Sequence, residues 1–586
     1  MGVLVVVGGG PRAAGLIERI GANASLFDGP LEIHVVDPFP AGAGRVWRHE
    51  QSPLLRMNSM AEDVTMFTDE SFAGDGPVVP GPSLAEWNPG LEPTSFPSRQ
   101  VQSAYLAWFF EHVVNSLPDN ISVRVHRNRA VRLSGRRVCL DDGFHLDADV
   151  VVLALGHLDA EIEPEHRELL DHAWRHGLFY LPPAYSADAD LSAVSGDVVL
   201  RGFGLAFIDL MVLLTEGRGG RFVDGRYIPS GREPRIHVGS RRGVPYHSKT
   251  GYRLQGARPD LPRFFAADVV EPLLTKRLDF RAHVWPLLAK EIAWGYYHEL
   301  FTGHPEHVDL ELDEFVAAYA KFDWYSDEMR ALIERAVPDP GDRIDFERLD
   351  RPLDGLTFSS GDDFQSYLRD YVRADIDRRS DPRHSADLGA FMALLSVFGQ
   401  LPRVVPCLEP ASRLRDADGW WYGFFSYLAS GPPPDRLEQL LALSEAGVVR
   451  FLGADMWVEA VDGGFLAGSA TTPDVVRASG LIEARLPVHS LSRTEDPVLR
   501  GLHAAGEIVE EVLDDGVTTG LVRVSAEGRL IDSAGREDPF RFALGPYTTG
   551  RAFAAFARPR TNAPAFRQND VIARAILCQL GRAPAP

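Results

Sequence analysis

The first forty residues constrain this chain more than any other stretch. An apolar run at residues 3–7 meets the turn Gly8-Gly9-Gly10-Pro11-Arg12-Ala13, and an amphipathic segment follows over 14–20. A second apolar run, 31–36, ends on Asp37, 27 residues past Gly10. Strand, glycine turn, helix, strand and acid in this order form the βαβ fingerprint that binds an ADP moiety. Each part has a physical job. Gly8 permits the tight turn, Gly10 lets a pyrophosphate approach the backbone, and Ala13 is the small residue that lets helix and strand pack closely. The helix start offers unpaired N–H groups and the positive end of its dipole to phosphate. Asp37 is suited to accept hydrogen bonds from a ribose 2′-hydroxyl.

A third apolar segment, 148–153, runs into Ala154-Leu155-Gly156-His157. A strand ending in Ala-x-Gly is the return strand that closes a flavin-binding Rossmann half, with Gly156 letting backbone pass beside the dinucleotide. The plainer alternative is a buried parallel strand ending in an ordinary turn. A second βαβ pattern follows: a strand at 197–200, the turn Gly202-Phe203-Gly204, a helix over 206–214, and a strand at 235–238 leading into Gly239-Ser240-Arg241-Arg242-Gly243. Phe207 stands where the third small residue belongs. The acid of the first unit is replaced by Ser240-Arg241-Arg242. Acid suits a free 2′-hydroxyl, whereas arginine grips a 2′-phosphate. FAD is therefore expected at the first site and NADPH at the second, a solvated surface turn being the alternative for Arg241 and Arg242.

A chain of 586 residues exceeds one core. The motifs place an FAD-binding domain at 1–165 plus 495–586 and an NADPH-binding domain at 195–260 plus 445–494. A mainly helical, substrate-covering insertion fills 261–444. It is read from aromatic, helix-periodic segments at 278–301, 312–322, 328–336, 364–376 and 388–398. Residues 481–485 are expected to be the return strand of the second unit. The expected fold class is α/β, two Rossmann-type dinucleotide-binding domains with a helical insertion. A net charge of −22 argues against nucleic acid and anionic membrane surfaces as partners. Cys139, Cys407 and Cys578 are far apart, with no CxxC, which argues against a disulfide framework, a zinc site or a redox dithiol. No metal is expected, and the cytoplasm is the expected compartment. The N-terminus lacks the basic region of a signal peptide, and no apolar run approaches the roughly 20 residues of a bilayer span.

The glycine turn, the Asn58 region and Ala154-Leu155-Gly156-His157 resemble the bacterial FAD/NAD(P)-binding protein family over most of the chain. Met60-Ala61-Glu62-Asp63-Val64-Thr65-Met66-Phe67-Thr68-Asp69, with Phe96-Pro97-Ser98-Arg99 and Tyr105-Leu106, is similar to flavin-dependent N-hydroxylating monooxygenases. In size and motif style the chain resembles those that convert aspartate to nitrosuccinate. The resemblance implies that NADPH reduces the flavin, that the reduced flavin activates O2, and that an amine nitrogen takes up the oxygen. The protein then supplies alignment and exclusion of water rather than a nucleophile. Asn58, Met60 and Gly506 join Gly8, Gly9, Gly10, Pro11, Arg12, Ala13, Asp37 and Gly156 as expected FAD contacts. Gly202, Gly204, Ser240, Arg241 and Arg242, with Lys249 nearby, are expected at NADPH.

An amine must lose its proton before it is oxidised, which calls for desolvation or a base. Of His49, His157, His247 and His503, the first two adjoin dinucleotide-facing motifs and are the catalytic candidates. A small amino-acid substrate needs cationic clamps for its carboxylates. Arg45, Arg48, Arg56, Arg99 and Arg551 are available, with Arg56 and Arg99 preferred. Two other readings remain open: the same cofactors oxidising a carbon or sulfur centre, and a flavin-binding protein without nicotinamide turnover.

Overall fold

An apolar run without polar alternation cannot show either face to water, and Gly2–Val7 (β1) lies mid-sheet with Leu4, Val5 and Val6 fully buried. The computed structural model describes residues 1–550 and 554–582. They fall into two units, Met1–Glu163 with Pro487–Pro586, and Pro164–Leu486. The expected helical insertion lies wholly within the second.

In the first unit β1 leads through the glycine turn to Pro11–Ala22 (α1) and Leu31–Val36 (β2). Pro11 occupies the first turn of α1, where its missing N–H costs nothing. Arg99–Asn115 (α2) opens on Ser98, whose hydroxyl accepts the Val101 N–H. Ile121–His126 (β3) and Val150–Leu153 (β4) complete the N-terminal part of the sheet. Its order is Arg529–Ile531, Glu537–Ala543, β4, β1, β2, β3, parallel except for the first pair. Val7 lies opposite both Val36 and Leu153, so three strands end level beside the turn. The helix Pro564–Arg582 supplies Ile572, Ile576 and Leu577 to the core under α1. Buried Arg19 of α1 pairs with Glu18 and with Asp570 of that helix.

The second unit repeats the plan with Asp197–Arg201 (β5), Leu205–Leu214 (α3), Arg235–Gly239 (β6) and Gly480–Glu483 (β7). The sheet runs Val449–Gly453, β6, β5, β7, Phe179–Leu181, all parallel. β7 pairs with β5 from Val198↔Gly480 to Arg201↔Glu483, as the return strand expected at 481–485 should. α3 is apolar on every side and is buried accordingly. Trp285–Gly303, Leu312–Tyr319, Asp327–Ala336 and Ala386–Gln400 build one aromatic core around Trp294, Tyr297, Tyr319 and Trp421. The carboxylate of buried Glu291 accepts the backbone N–H groups of Arg263, Phe264 and Phe265, which pins the approach to that core.

Candidate functional site

The turn after β1 is fixed by one contact that only glycine allows. Gly8 has φ +99°, and a Cβ there would stand 2.2 Å from the Ala154 carbonyl oxygen. Two residues on, Gly10 heads α1 without a side-chain cap, and the nearest atom to a Cβ at Gly10 would be Gly44 Cα at 3.8 Å. The open space there belongs to a cavity of about 450 Å³ lined by Gly8, Gly10, Pro11 and Arg12, by Asp37, and by Gly156 and His157. Helix-start N–H groups therefore face a void of ligand size.

Charge follows the same division. Arg12 is buried, with Nη2 donating to Gln568 Oε1 at 2.6 Å and with Nε and Nη1 lacking a partner among the described residues. Burial pushes its pKa down to about 10, so the guanidinium stays charged at neutral pH. Asp37, at the end of β2, accepts Gly9 N–H at 2.6 Å and Phe39 N–H at 2.7 Å. Burial raises its carboxyl pKa while those two donors hold it down. His157 also faces the cavity and stacks on His489 at 5.7 Å. Burial, and then the nearby Arg45, lower its pKa, which favours the neutral imidazole.

The remaining expected residues are scattered. Gly9 and Ala13 belong to the turn but point away from the void, Ala13 being fully buried. Arg45 lines the cavity, held by Asp159 through two bonds of 2.6 and 3.0 Å. The Arg48 guanidinium lies over the Phe39 ring. Arg56 and Arg99 come together at a short backbone bridge: Arg56 pairs with Ser98, and Arg99 N–H donates to Leu55 O at 2.9 Å. Neither lines the cavity, and neither do Asn58, Met60 or His49. His49 is exposed, and its carbonyl accepts Gln100 Nε2. Gly506 follows the helix Pro497–Ala504, packs on Ser533, whose N–H its carbonyl accepts, and does not line the cavity. The residues of that segment that do reach the cavity are Glu495 and Asp496, the latter the cap of the helix. Arg551 lies outside the described residues.

The second turn has the same backbone and different contents. Gly202 has φ +128°, and its Cβ would meet the Ala484 carbonyl at 2.7 Å. Gly204 heads α3, but there a Cβ would lie 2.8 Å from Tyr246 Cζ and 3.1 Å from its hydroxyl. Phe207 packs edge-on against Phe203 at 4.9 Å. The Ser240 hydroxyl accepts the Gly243 N–H. Arg241 is exposed and has no acid within ion-pair distance among the described residues. Arg242, expected to grip phosphate, is instead buried and bound to Asp350, whose other oxygen accepts Trp420 Nε1 at 2.8 Å. The Lys249 ammonium donates to Ala429 O above the Phe391 ring. His247 Nδ1 is engaged by Asp375 at 2.6 Å.

Among the described residues no group of three or more His, Cys, Asp or Glu is placed to hold a metal, and no helix is long and apolar enough to cross a membrane.

Comparison with known proteins adds a family to this geometry. Residues 5–158 match the FAD-NAD(P)-binding family. The chain is 37% identical to the nitrosuccinic acid synthase npaA of Aspergillus oryzae, covering 98% of this chain and 92% of that one. It is 36% identical to an L-aspartate N-monooxygenase (nitrosuccinate-forming) of Streptomyces davaonensis, over 98% and 96% of the two chains. For the enzyme of the same description from Streptomyces cremeus the figures are 37%, 99% and 95%.

Proposed function

The chain belongs to the family of nitrosuccinate-forming L-aspartate N-monooxygenases, which are flavin-dependent N-hydroxylating enzymes, and on that premise we propose that it oxidises the amino group of L-aspartate to nitrosuccinate with FAD, NADPH and O2. The observation that carries the cofactor assignment is Arg12: a buried cation with two donors that no described residue satisfies, beside an open helix start, fits an anion, and a dinucleotide pyrophosphate is the anion a glycine turn accommodates. Bound FAD would supply the reducing equivalents that activate O2, replenished by the nicotinamide.

The chain's own residues do the rest. The N–H groups of α1 and the Arg12 guanidinium hold the pyrophosphate, and Asp37 accepts from a ribose hydroxyl. Ser240 and Arg241 take the 2′-phosphate of NADPH. Arg56 and Arg99 hold the two substrate carboxylates. His157, kept neutral by burial, accepts the ammonium proton at an unprotonated ring nitrogen and so frees the nitrogen lone pair. Oxygen insertion recurs at one nitrogen, so the site must align the substrate and exclude water in every round.

The test is oxygen uptake by the purified holoenzyme with NADPH and a panel of L-aspartate, D-aspartate, L-glutamate and L-asparagine, with mass analysis of products. L-Aspartate alone should give uptake and nitrosuccinate. Peroxide formation without nitrogen oxidation for every amine overturns the assignment. The reading without nicotinamide turnover has Tyr246 on its side, since its ring fills the second turn. Failure of NADPH to bleach the flavin anaerobically selects that reading.

A further inference from the structure

We propose that Gln568 is a positioning residue that orients Arg12 through a neutral hydrogen bond and so keeps the arginine's positive charge uncompensated for the FAD pyrophosphate. This rests on FAD occupying the first unit's cavity.

The other buried arginines set the rule that Arg12 breaks. Arg19 pairs with Glu18 and Asp570, Arg242 with Asp350, and Arg541 with Glu507 and Asp538. A buried guanidinium ordinarily needs such a partner. Arg12 is buried just as deeply, yet among the described residues its side chain bonds only to the side-chain carbonyl of Gln568, at 2.6 Å. The amide cannot be turned round without loss, because its Nε2 donates to the Gly550 carbonyl, which can only accept. Oε1 is therefore committed to Arg12, and Nη2 is the nitrogen consumed. Nε and Nη1 stay unsatisfied, adjacent to the open face of Gly10. A glutamate of the same length would make the same bond and close the ion pair. Glutamine supplies the geometry without the neutralisation. The helix that carries Gln568 is tied to α1 by the Arg19–Asp570 pair, so donor and acceptor are held in register.

The experiment removes flavin from the purified enzyme and titrates FAD back by fluorescence quenching. Gln568→Glu should raise the FAD dissociation constant about a hundredfold, and Gln568→Ala only about threefold to tenfold, because a carboxylate cancels the charge whereas truncation merely loosens it. Glutamate also gives up the bond to the Gly550 carbonyl, so the discriminating control is the same substitution in an Arg12→Ala background: a purely structural role predicts the same loss there, whereas the charge role predicts a much smaller one. Affinity of the Gln568→Glu protein should recover as pH falls and the introduced carboxyl group protonates. The reverse order, equal effects or no recovery at low pH overturns the proposal. Should Gln568→Glu fail to fold, a double-mutant cycle of Gln568→Met with Arg12→Ala replaces it. The loss caused by Gln568→Met should vanish once Arg12 is alanine, and its persistence overturns the proposal. Gly10→Val separates the two levels of inference. If it leaves FAD bound, the cavity assignment fails; if it expels FAD while the Gln568 variants are silent, only the positioning role fails.

Discussion

At both Gly8 and Gly202 the chain leaves its first strand through a glycine of positive φ, and in each the N–H donates to the end of the second strand, Val36 O at 2.8 Å and Gly239 O at 2.9 Å. Both glycines lie against the carbonyl of the alanine that follows the return strand, Ala154 and Ala484. The side chains then diverge at matched positions. Val7 opposite Leu153 gives the first turn an apolar floor, whereas Arg201 opposite Glu483 gives the second an ion pair, with Arg201 Nε 3.0 Å from the carboxylate. Arg12 corresponds to Ala206, and Ala13 to Phe207. Gly10 looks into a cavity and Gly204 looks at the Tyr246 ring. One backbone plan thus yields an open cradle with a buried arginine beside its helix start and a second turn filled by the Tyr246 ring. In the second unit the exposed cation is Arg241, which lies beyond the second strand.

The contrast can be broken most forcefully at the two helix starts. Gly10→Val should lower FAD affinity by about two orders of magnitude or more, because the new side chain takes the pyrophosphate's place. Gly204→Val should leave the flavin-to-protein absorbance ratio unchanged. Next comes the strand-end glycine. Gly8→Ala should destabilise its unit by about 3–5 kcal/mol and Gly202→Ala its own by about 2–3 kcal/mol, following contacts of 2.2 and 2.7 Å, as read from urea unfolding. Equal effects would show that the two turns relax alike.

The arginine pair sharpens the comparison further. Arg241→Ala should weaken NADP⁺ binding by about 1.5–3 kcal/mol and leave NAD⁺ binding unchanged in calorimetry. Arg242→Ala should spare that preference and cost about 2–3 kcal/mol of stability, since Asp350 loses its cation and keeps only the Trp420 indole N–H. The smallest effect concerns pH. The folded pKa of His157 lies below its unfolded value, so on acidification the unfolded chain takes up that proton first. The stability linked to neutral His157 is thus present above about pH 6.5 and is lost as pH falls below it. His157→Gln should flatten that limb of a thermal-melt series and lower the rate of L-aspartate oxidation.

What could be read in the sequence was what is local. The order from β1 to Asp37 lies within forty residues, and turn geometry follows from which residues lack a Cβ. The return strands were legible because apolar runs ending in small residues have few other places to go. Long-range partners were not. Asp350 is 108 residues from Arg242, and nothing in Ser240-Arg241-Arg242 says which arginine it will claim. Near Gly506 it is Glu495 and Asp496 that line the cavity, across the helix Pro497–Ala504 from the glycine, and no local pattern marks them. One missed residue did leave a trace. The spacing of Ala41-Gly42-Ala43-Gly44 marks close approach, and a Cβ at Gly44 would sit 2.8 Å from Gly10 Cα, so Gly44 guards the width of the cradle.

Tyr246 has a kinetic consequence. Its ring is a tethered competitor, present at a fixed local concentration, for whatever lands on the second turn. On the proposed function, a dinucleotide landing there would have to displace the ring, and its apparent affinity would be scaled down by the fraction of molecules in which the turn is open. The first turn carries no such rival, which is the arrangement expected when one cofactor stays for the life of the enzyme and the other changes with every turnover.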